Sequence, residues 1–325
     1  MPIVVNSNAS ATQASMNLSR ANDSLRNSLA RLSSGKRINS PADDAGGLAV
    51  AYKLDSKLNR SQAVVQNAQN SLSYLQVQDS GLQSVGKILD RMGELRTMAQ
   101  DITKNTQDIE NYSKEFIELQ SQLNQVKQEK FNGISLFSQQ SGAAAGTLIK
   151  GSETYTDSSG NAVTFEKFGR TLITHPSGID TMGSISINVV NLQFVLSIGS
   201  AGGGGAGAFT ASDLGGLNNT AGNGISAAGF ISDILDVNVS QFTEAIERLA
   251  DVRAENGAEQ NRVMNTLDLL QTNITNLEAA HGRIMDADIA LESTRFARHN
   301  VLVQASAAMT AQANQLTNVA LQLLG

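Results

Sequence analysis

No Asp, Glu, Lys or Arg occurs among the last 26 residues, from Asn300 to Gly325, yet apolar side chains keep a helical repeat to the end. Leu302, Met309, Leu316 and Leu323 recur every seven residues. Ser306, Ala313 and Ala320 follow the first three by four, the two-position spacing of a coiled-coil seam. Such a helix needs a partner helix. Its other face carries seven amides, Asn300, Gln304, Gln312, Asn314, Gln315, Asn318 and Gln322, too many for a segment surrounded by hydrocarbon, which argues against a membrane span. An ordinary core helix keeps a charged solvent face for solubility, and the absence of one here points to burial in an assembly.

Residues 1–19 share the peculiarity: they lack charge and consist largely of Ser, Asn, Ala, Thr and Gln. From Leu18 a heptad-like pattern begins, with Leu18, Leu25 and Leu32 spaced by seven and Leu29 four after Leu25. This stripe is a candidate partner for the C-terminal seam.

Composition narrows the fold class. The 325 residues suffice for two or three domains, and 41% hydrophobic content supports a folded core, but aromatics make up only 4% and Trp is absent. A core of Leu, Ile, Val, Met and Ala suits narrow helix bundles better than a large globular centre. The absence of Cys excludes disulfides, thiolate metal sites and Cys nucleophiles. A net charge of -6 argues against nucleic acid as the main partner, because phosphate binding needs a basic surface. No basic-plus-apolar signal peptide opens the sequence, and a location outside the cell therefore requires another export route.

Helical periodicity dominates both flanks and vanishes between them. From about Asp55 to Gln100, Leu58, Val65 and Leu72 keep one seven-residue row, Leu75, Leu82 and Leu89 another, and Val85, Met92 and Ala99 a third. A helix of this extent is roughly 65 to 70 Å long. Gly81, Gly86 and Gly93 each weaken it by up to about 1 kcal/mol relative to Ala, so packing must maintain it. A shorter helix is expected over about 111–128, with Phe116 and Leu123 on one row and Leu119 and Val126 on the next. The third spans about 239–284, where Leu249, Val263, Leu270, Leu277 and Ile284 share a row beside Ile246, Leu267 and Ile274. Arg253, Asn256, Gln260 and His281 occupy the missing steps, and a single His on a helical seam is read as packed or hydrogen-bonded. The fold class is therefore mainly α: an elongated helical bundle or coiled coil formed by both terminal regions, with a small β-rich variable domain inserted. The insert, about 141–228, holds 17 of the 28 glycines, and its runs 184–190 and 191–198 read as strands.

A search for chemistry finds none. Gly199 to Gly207 lacks the Gly-Lys-Ser/Thr ending of a phosphate loop and reads as a flexible loop. Asp286, Asp288 and Glu292 read as an acidic helix entry favoured by the dipole rather than a calcium loop. His175, His281 and His299 with no HExxH give a zinc hydrolase no ligand set, and no Ser is marked as a nucleophile. The reading is of no enzyme, no metal and no cofactor.

Leu32 to Gly46 reads LSSGKRINSPADDAG, Asn261 to Ala290 reads NRVMNTLDLLQTNITNLEAAHGRIMDADIA, Ala311 to Gln315 reads AQANQ, and Phe131 to Phe137 reads FNGISLF. Together these strongly resemble bacterial flagellin, and the resemblance covers roughly 230 residues of both flanks, leaving the middle as the variable insert. It implies an inner layer of residues 1–44 with 283–325, a middle layer of 45–140 with 229–282, and an outer domain of 141–228. It further implies termini that become helical in the polymer. The function implied is that of a structural subunit of the extracellular flagellar filament, with the hook–filament junction protein as the rival. The implied partners are other flagellin subunits, the export chaperone and type III export apparatus, and hook-associated and cap proteins. The residues expected to pack the filament core are Leu18, Leu25, Leu29, Leu32, Leu302, Ser306, Met309, Ala313, Leu316, Ala320 and Leu323. A vertebrate innate flagellin receptor is a further implied partner. The segment DRMGEL resembles the recognised QRVREL motif, carrying over Arg91 and Leu95 while Asp90 and Gly93 depart from it, and Glu118 corresponds to a Glu on the next helix.

Overall fold

The computed structural model describes residues 8–138, 148–156, 162–196 and 234–324. In chain order its helices are α1 (Ala9–Ser34), α2 (Ala45–Ala99), α3 (Thr106–Lys127), α4 (Leu192–Val195), α5 (Val239–Met285) and α6 (Ile289–Leu324). Its strands are β1 (Lys130–Phe131), β2 (Ile134–Ser135), β3 (Phe137–Ser138), β4 (Leu148–Thr156), β5 (Ala162–Ile173) and β6 (Ser184–Asn191). The chain forms two compact units, Met1–Asn59 with Thr272–Gly325, and Arg60–Gln271.

In the first unit α1 and α6 run antiparallel. At one end the Asn8 side-chain amide donates to the carbonyl of Ala313 at 2.8 Å; at the other the Ala287 N–H donates to the carbonyl of Gly35 at 2.9 Å. The sums 8 + 313 and 35 + 287 differ by one, so the register holds along the whole pair. Asn8 also caps α1, accepting from the Ala11 N–H at 3.0 Å, and Gly35 ends it in the left-handed region at φ 68°. The shielded positions of α1 include Ala11, Ala14, Leu18, Ala21, Leu25, Ser28 and Leu32, alternating by three and four, with Ser24 and Arg31 partly covered beside them. Those of α6 are Glu292, Phe296, His299, Val303, Ser306, Thr310 and Ala313, with the same alternation. Small residues recur on both sides, which lets the two backbones approach closely.

This seam differs from the one read in the sequence. Ser306 and Ala313 belong to it, but their companions are Val303 and Thr310, each one residue after the expected Leu302 and Met309. One residue is a rotation of about 100° on a helix. Leu302 and Met309 are consequently left 46% and 62% exposed. Leu29 is likewise exposed, whereas Leu18, Leu25 and Leu32 face the seam as expected. The side chains of Leu316, Ala320 and Leu323 lie outside the described residues.

The second unit is built on the helical rows. Leu75, Leu82, Leu89, Val85, Met92 and Ala99 of α2 are all buried, together with Phe116 and Leu123 of α3 and Phe242, Leu249 and Val263 of α5. Two β1–β2 partners, Phe131 and Ile134, flank a turn in which Asn132 has φ 51° and Gly133 φ 78°, the two-residue geometry that Asn-Gly favours. A second sheet has the order β3-β6-β5-β4, with β3 parallel to β6 and the other pairs antiparallel. Leu172 of β5 and Ile185, Ile187 and Val190 of β6 enter the same core as the helices. Strands β5 and β6 of the 141–228 stretch thus share part of their buried surface with the helices. The expected strand over 191–198 is corrected: residues 192–195 form α4, because Leu192, Val195 and Leu196, all fully buried, stand at the i, i+3, i+4 spacing of a helix. Gly199 to Gly207 lies outside the described residues.

The polar interruptions in the rows have a structural use. Gln78 of α2, fully buried, donates to the carbonyls of Leu136 at 2.8 Å and Asn188 at 3.3 Å. Its side-chain oxygen accepts from Asn256 Nδ2 at 2.7 Å, and Asn256 Oδ1 accepts from Gln260 Nε2 at 2.6 Å. Glu259 receives the Asn188 N–H at 3.1 and 2.9 Å, and Arg253 grips Asp79 at 2.9 and 3.2 Å. This ladder fixes one register between α2, α5 and the sheet, because a slip leaves buried amides unpaired.

Gly81 has a steric reason to be glycine: a Cβ there would lie 2.8 Å from Phe137 Cζ, whose ring is buried. Gly81→Ala is expected to destabilise the second unit by about 1–3 kcal/mol despite the better helix propensity. Gly257→Ala, with nothing within 4 Å of the new Cβ, is expected to stabilise it by about 0.5–1 kcal/mol. Urea unfolding followed by circular dichroism checks both, and equal effects would contradict the packing argument.

Candidate functional site

The two sequence motifs at either end of the chain meet in the first unit. The Arg37 N–H donates to the carbonyl of Met285 at 2.6 Å, and Lys36 pairs with Asp286 in a short antiparallel bridge. The Arg37 guanidinium adds two bonds to the carbonyl of Ile284, at 3.2 and 2.8 Å, satisfying an acceptor at the end of α5. Beneath them Ile38, Ala51 and Met285 form a small buried cluster with Leu48 and Ile284 packed against it.

Acidic residues organise the rest of this clasp as local caps. Asp43 Oδ2 accepts the N–H groups of Asn39 at 3.1 Å and Ser40 at 3.0 Å, while Arg31 reaches Oδ1 at 3.3 Å. The backbone N–H groups of Ser40 and then Asn39, aided by the Arg31 charge, hold the Asp43 carboxyl below the ordinary aspartate range. Asp44 accepts from the Gly47 N–H at 2.8 Å at the start of α2. Asp288 accepts from Ala290 and Leu291 at 3.0 and 3.1 Å at the start of α6, so of the acidic cluster read as a helix entry Asp288 is the residue that caps that helix. Glu292, 4% exposed, lies in the seam with Arg295 at 3.3 Å. Among the described residues no group of three or more His, Cys, Asp or Glu could hold a metal ion, and no helix is long and apolar enough to cross a membrane.

What the paired helices offer outward includes large apolar side chains beside amides. Val301, Leu302 and Met309 of α6 are 65%, 46% and 62% exposed, on a helix whose last charged residue is Arg298. Met16 and Leu29 of α1 are exposed as well. A pair of helices that has already met along one seam still presents large apolar side chains beside it. Such surface, where it is contiguous, marks an interaction site.

The three residues carried over toward a receptor are separated in character. Arg91 is partly exposed and bridges Glu115 at 2.8 Å and Glu94 at 3.1 Å, and Glu118 is exposed. Leu95 is fully buried in the core of its unit and offers no outward surface. The reason lies in its spacing: Met92 and Ala99, three before and four after it, stand on the same inward face. Periodicity alone could have placed Leu95 inside.

Comparison with known proteins finds the bacterial flagellin N-terminal helical region over residues 5–142 and the bacterial flagellin C-terminal helical region over residues 239–324. A flagellin of Bacillus subtilis is 31% identical over 328 residues, spanning 98% of this chain and 99% of that protein. The flagellar filament 33 kDa core protein of Treponema phagedenis is 28% identical over 323 residues, spanning 99% of this chain and all of that protein. The crystal structure of Bacillus cereus flagellin aligns with 66% of this chain and 94% of its own at 19% identity, with a TM-score of 0.39.

The clasp has a pH signature. Because the folded Asp43 carboxyl titrates below its ordinary value of 3.8, its contribution is fully present above that value and is lost as pH falls through the lower folded one. Amide NMR of Asn39 and Ser40 in the free subunit is expected to show a single titration with a midpoint below that of an ordinary aspartate, absent in Asp43→Asn. A midpoint at or above the ordinary value would contradict the geometry.

Proposed function

Because the chain belongs to the bacterial flagellin family, we propose that it builds the flagellar filament by burying between copies the apolar row that α1 and α6 leave uncovered. The observation that carries this is the exposure of Leu302 and Met309 on the charge-free stretch of α6 after Arg298, whose other seam is already filled. Leu29, Val301, Leu302 and Met309 are already about half covered, so burying what remains is worth about 0.8–1.5 kcal/mol each, or roughly 3–6 kcal/mol for the four before ordering costs. Association through the same face in every copy adds these terms along the polymer. The amide face, with Gln304 and Gln312, stays wet and lines the axial channel.

The layered arrangement belongs to the same proposal: residues 1–44 with 283–325 inside, 45–140 with 229–282 around them, and 141–228 outward. The work done is mechanical, transmission of torque through subunit contacts, and needs no chemistry. The filament lies outside the cell, reached through a type III export apparatus with a chaperone and completed by hook-associated and cap proteins. A vertebrate innate receptor would engage the partly exposed Arg91 and the exposed Glu118, while Leu95 contributes by holding the helix that presents Arg91.

Seeded growth tests the reading. Purified full-length chain, mixed with short filament fragments and viewed by electron microscopy, is expected to extend them into long filaments. Leu302→Asp and Met309→Asp are each expected to slow elongation at least ~10-fold, since burying an unpaired carboxylate costs several kcal/mol, while Gln304→Asp leaves it within a few-fold. Equal growth of all three would sink the assigned face. Inability of the unsubstituted chain to extend filament seeds would favour a junction protein.

A further inference from the structure

Between α2 and α3 the chain turns through residues 100–105, and this turn holds Ile102 at 99% exposure. Asp101 fixes the turn by accepting the Thr103 N–H at 2.9 Å, so the isoleucine is presented on an ordered support rather than a loose tip. A large apolar side chain wholly in water beside an exposed carboxylate is a knob with a polar marker.

A matching recess occurs elsewhere on the same unit. At the β1–β2 hairpin a cavity of about 400 Å³ is lined by Tyr74, Phe131, Ile134, Leu172 and Ile187, with Arg170 among its walls. Tyr74 and Phe131 meet edge to face, their ring centroids 6.2 Å apart, giving the recess a rigid aromatic side. Arg170 Nε is buried there without a hydrogen-bond acceptor. The Arg170 side chain bonds Tyr74, so the recess combines an apolar lining with a guanidinium whose Nε alone has no acceptor, the complement of an apolar knob beside a carboxylate.

Knob and recess lie at different places on one chain. A contact between them is heterologous, and contacts of that kind propagate into open helical polymers when they do not close into rings. We propose that the α2–α3 turn of one copy docks in this recess of the next copy, with Ile102 against the Tyr74, Phe131 and Leu172 wall and the Asp101 carboxylate toward Arg170. The proposal rests on the filament reading and adds a second contact to it, separate from the α1–α6 face. Tyr74 and Ala99 stand 25 residues apart on one helix, about 38 Å at 1.5 Å per residue. A neighbouring copy set beside the first and displaced by roughly 40 Å along α2 brings the knob level with the recess.

The chain contains no cysteine, and introduced thiols are therefore the only ones present. In the full-length double variant Ile102→Cys with Asn132→Cys, Asn132 being on the cavity wall, diamide takes up the two electrons and two protons released as each disulfide forms. Oxidised filaments are expected to give a ladder of linked chains on a non-reducing gel, with none from the monomer at equal concentration and none from either single variant. Thr103→Cys with Asn132→Cys keeps Ile102 in place and carries the same expectation if the first variant does not elongate. Filaments of either double variant, seen by microscopy, that yield no ladder overturn the docking alone. Failure of the unsubstituted chain to extend seeds overturns the docking and the filament reading together.

Discussion

Everything in the first unit depends on the close antiparallel contact of α1 with α6. Two helices from opposite ends of the sequence meet through Ala11, Ala14, Ala21 and Ser28 on one side and Ser306, Thr310 and Ala313 on the other. Small side chains bring the backbones together but bury little apolar area apiece, so this pair gains less from its own seam than a leucine-rich coil does. The larger residues Leu302 and Met309 sit one helical step away and remain uncovered. A pair that is weakly self-sufficient and visibly unfinished is suited to a chain that must exist both alone and within a polymer.

The clasp of Gly35–Arg37 on Met285–Ala287 makes that arrangement possible. It converts the turn after α1 and the break between α5 and α6 into one short backbone pairing, and Asp43, Asp44 and Asp288 each accept from a backbone donor beside it. Once the two chain reversals are tied, the register of α1 on α6 follows without strong side-chain anchors. The second unit solves its register problem differently, with a buried ladder of amides from Gln78 to Gln260 running through an otherwise apolar core. Apolar rows tolerate sliding by a heptad, and unpaired buried amides do not.

Much of this was legible from residue spacing, and the failures have physical causes. The rows of α2 were readable because Leu75, Leu82 and Leu89 are both the most apolar and the most buried positions of their helix. In α6 the two properties separate: the strongest seven-residue row, beginning Leu302 and Met309, is not the one that pairs with α1, because His299, Ser306 and Thr310 make the true seam look polar. Hydrophobic periodicity identifies a row that seeks burial but not the partner that supplies it. Leu95 was carried over as a surface residue by resemblance although its spacing from Met92 and Ala99 places it in the core. The Gln78–Asn256 contact joins residues distant in sequence, and no local pattern announces it. Residues 192–195 differ from the expected strand because a short apolar run broken by one Gln fits a strand or a buried helical turn equally well.

The central claim is that α1 and α6 spend their small residues on each other and reserve their large apolar row for other copies. A helical reconstruction by cryo-electron microscopy of filaments grown from this chain tests it directly, at side-chain resolution around α6. The account predicts Val303, Ser306 and Thr310 packed against α1 of the same copy, with Leu302 and Met309 packed against neighbouring copies. Leu302 and Met309 facing the wet channel, or turned into the seam with α1 of their own copy, would contradict it.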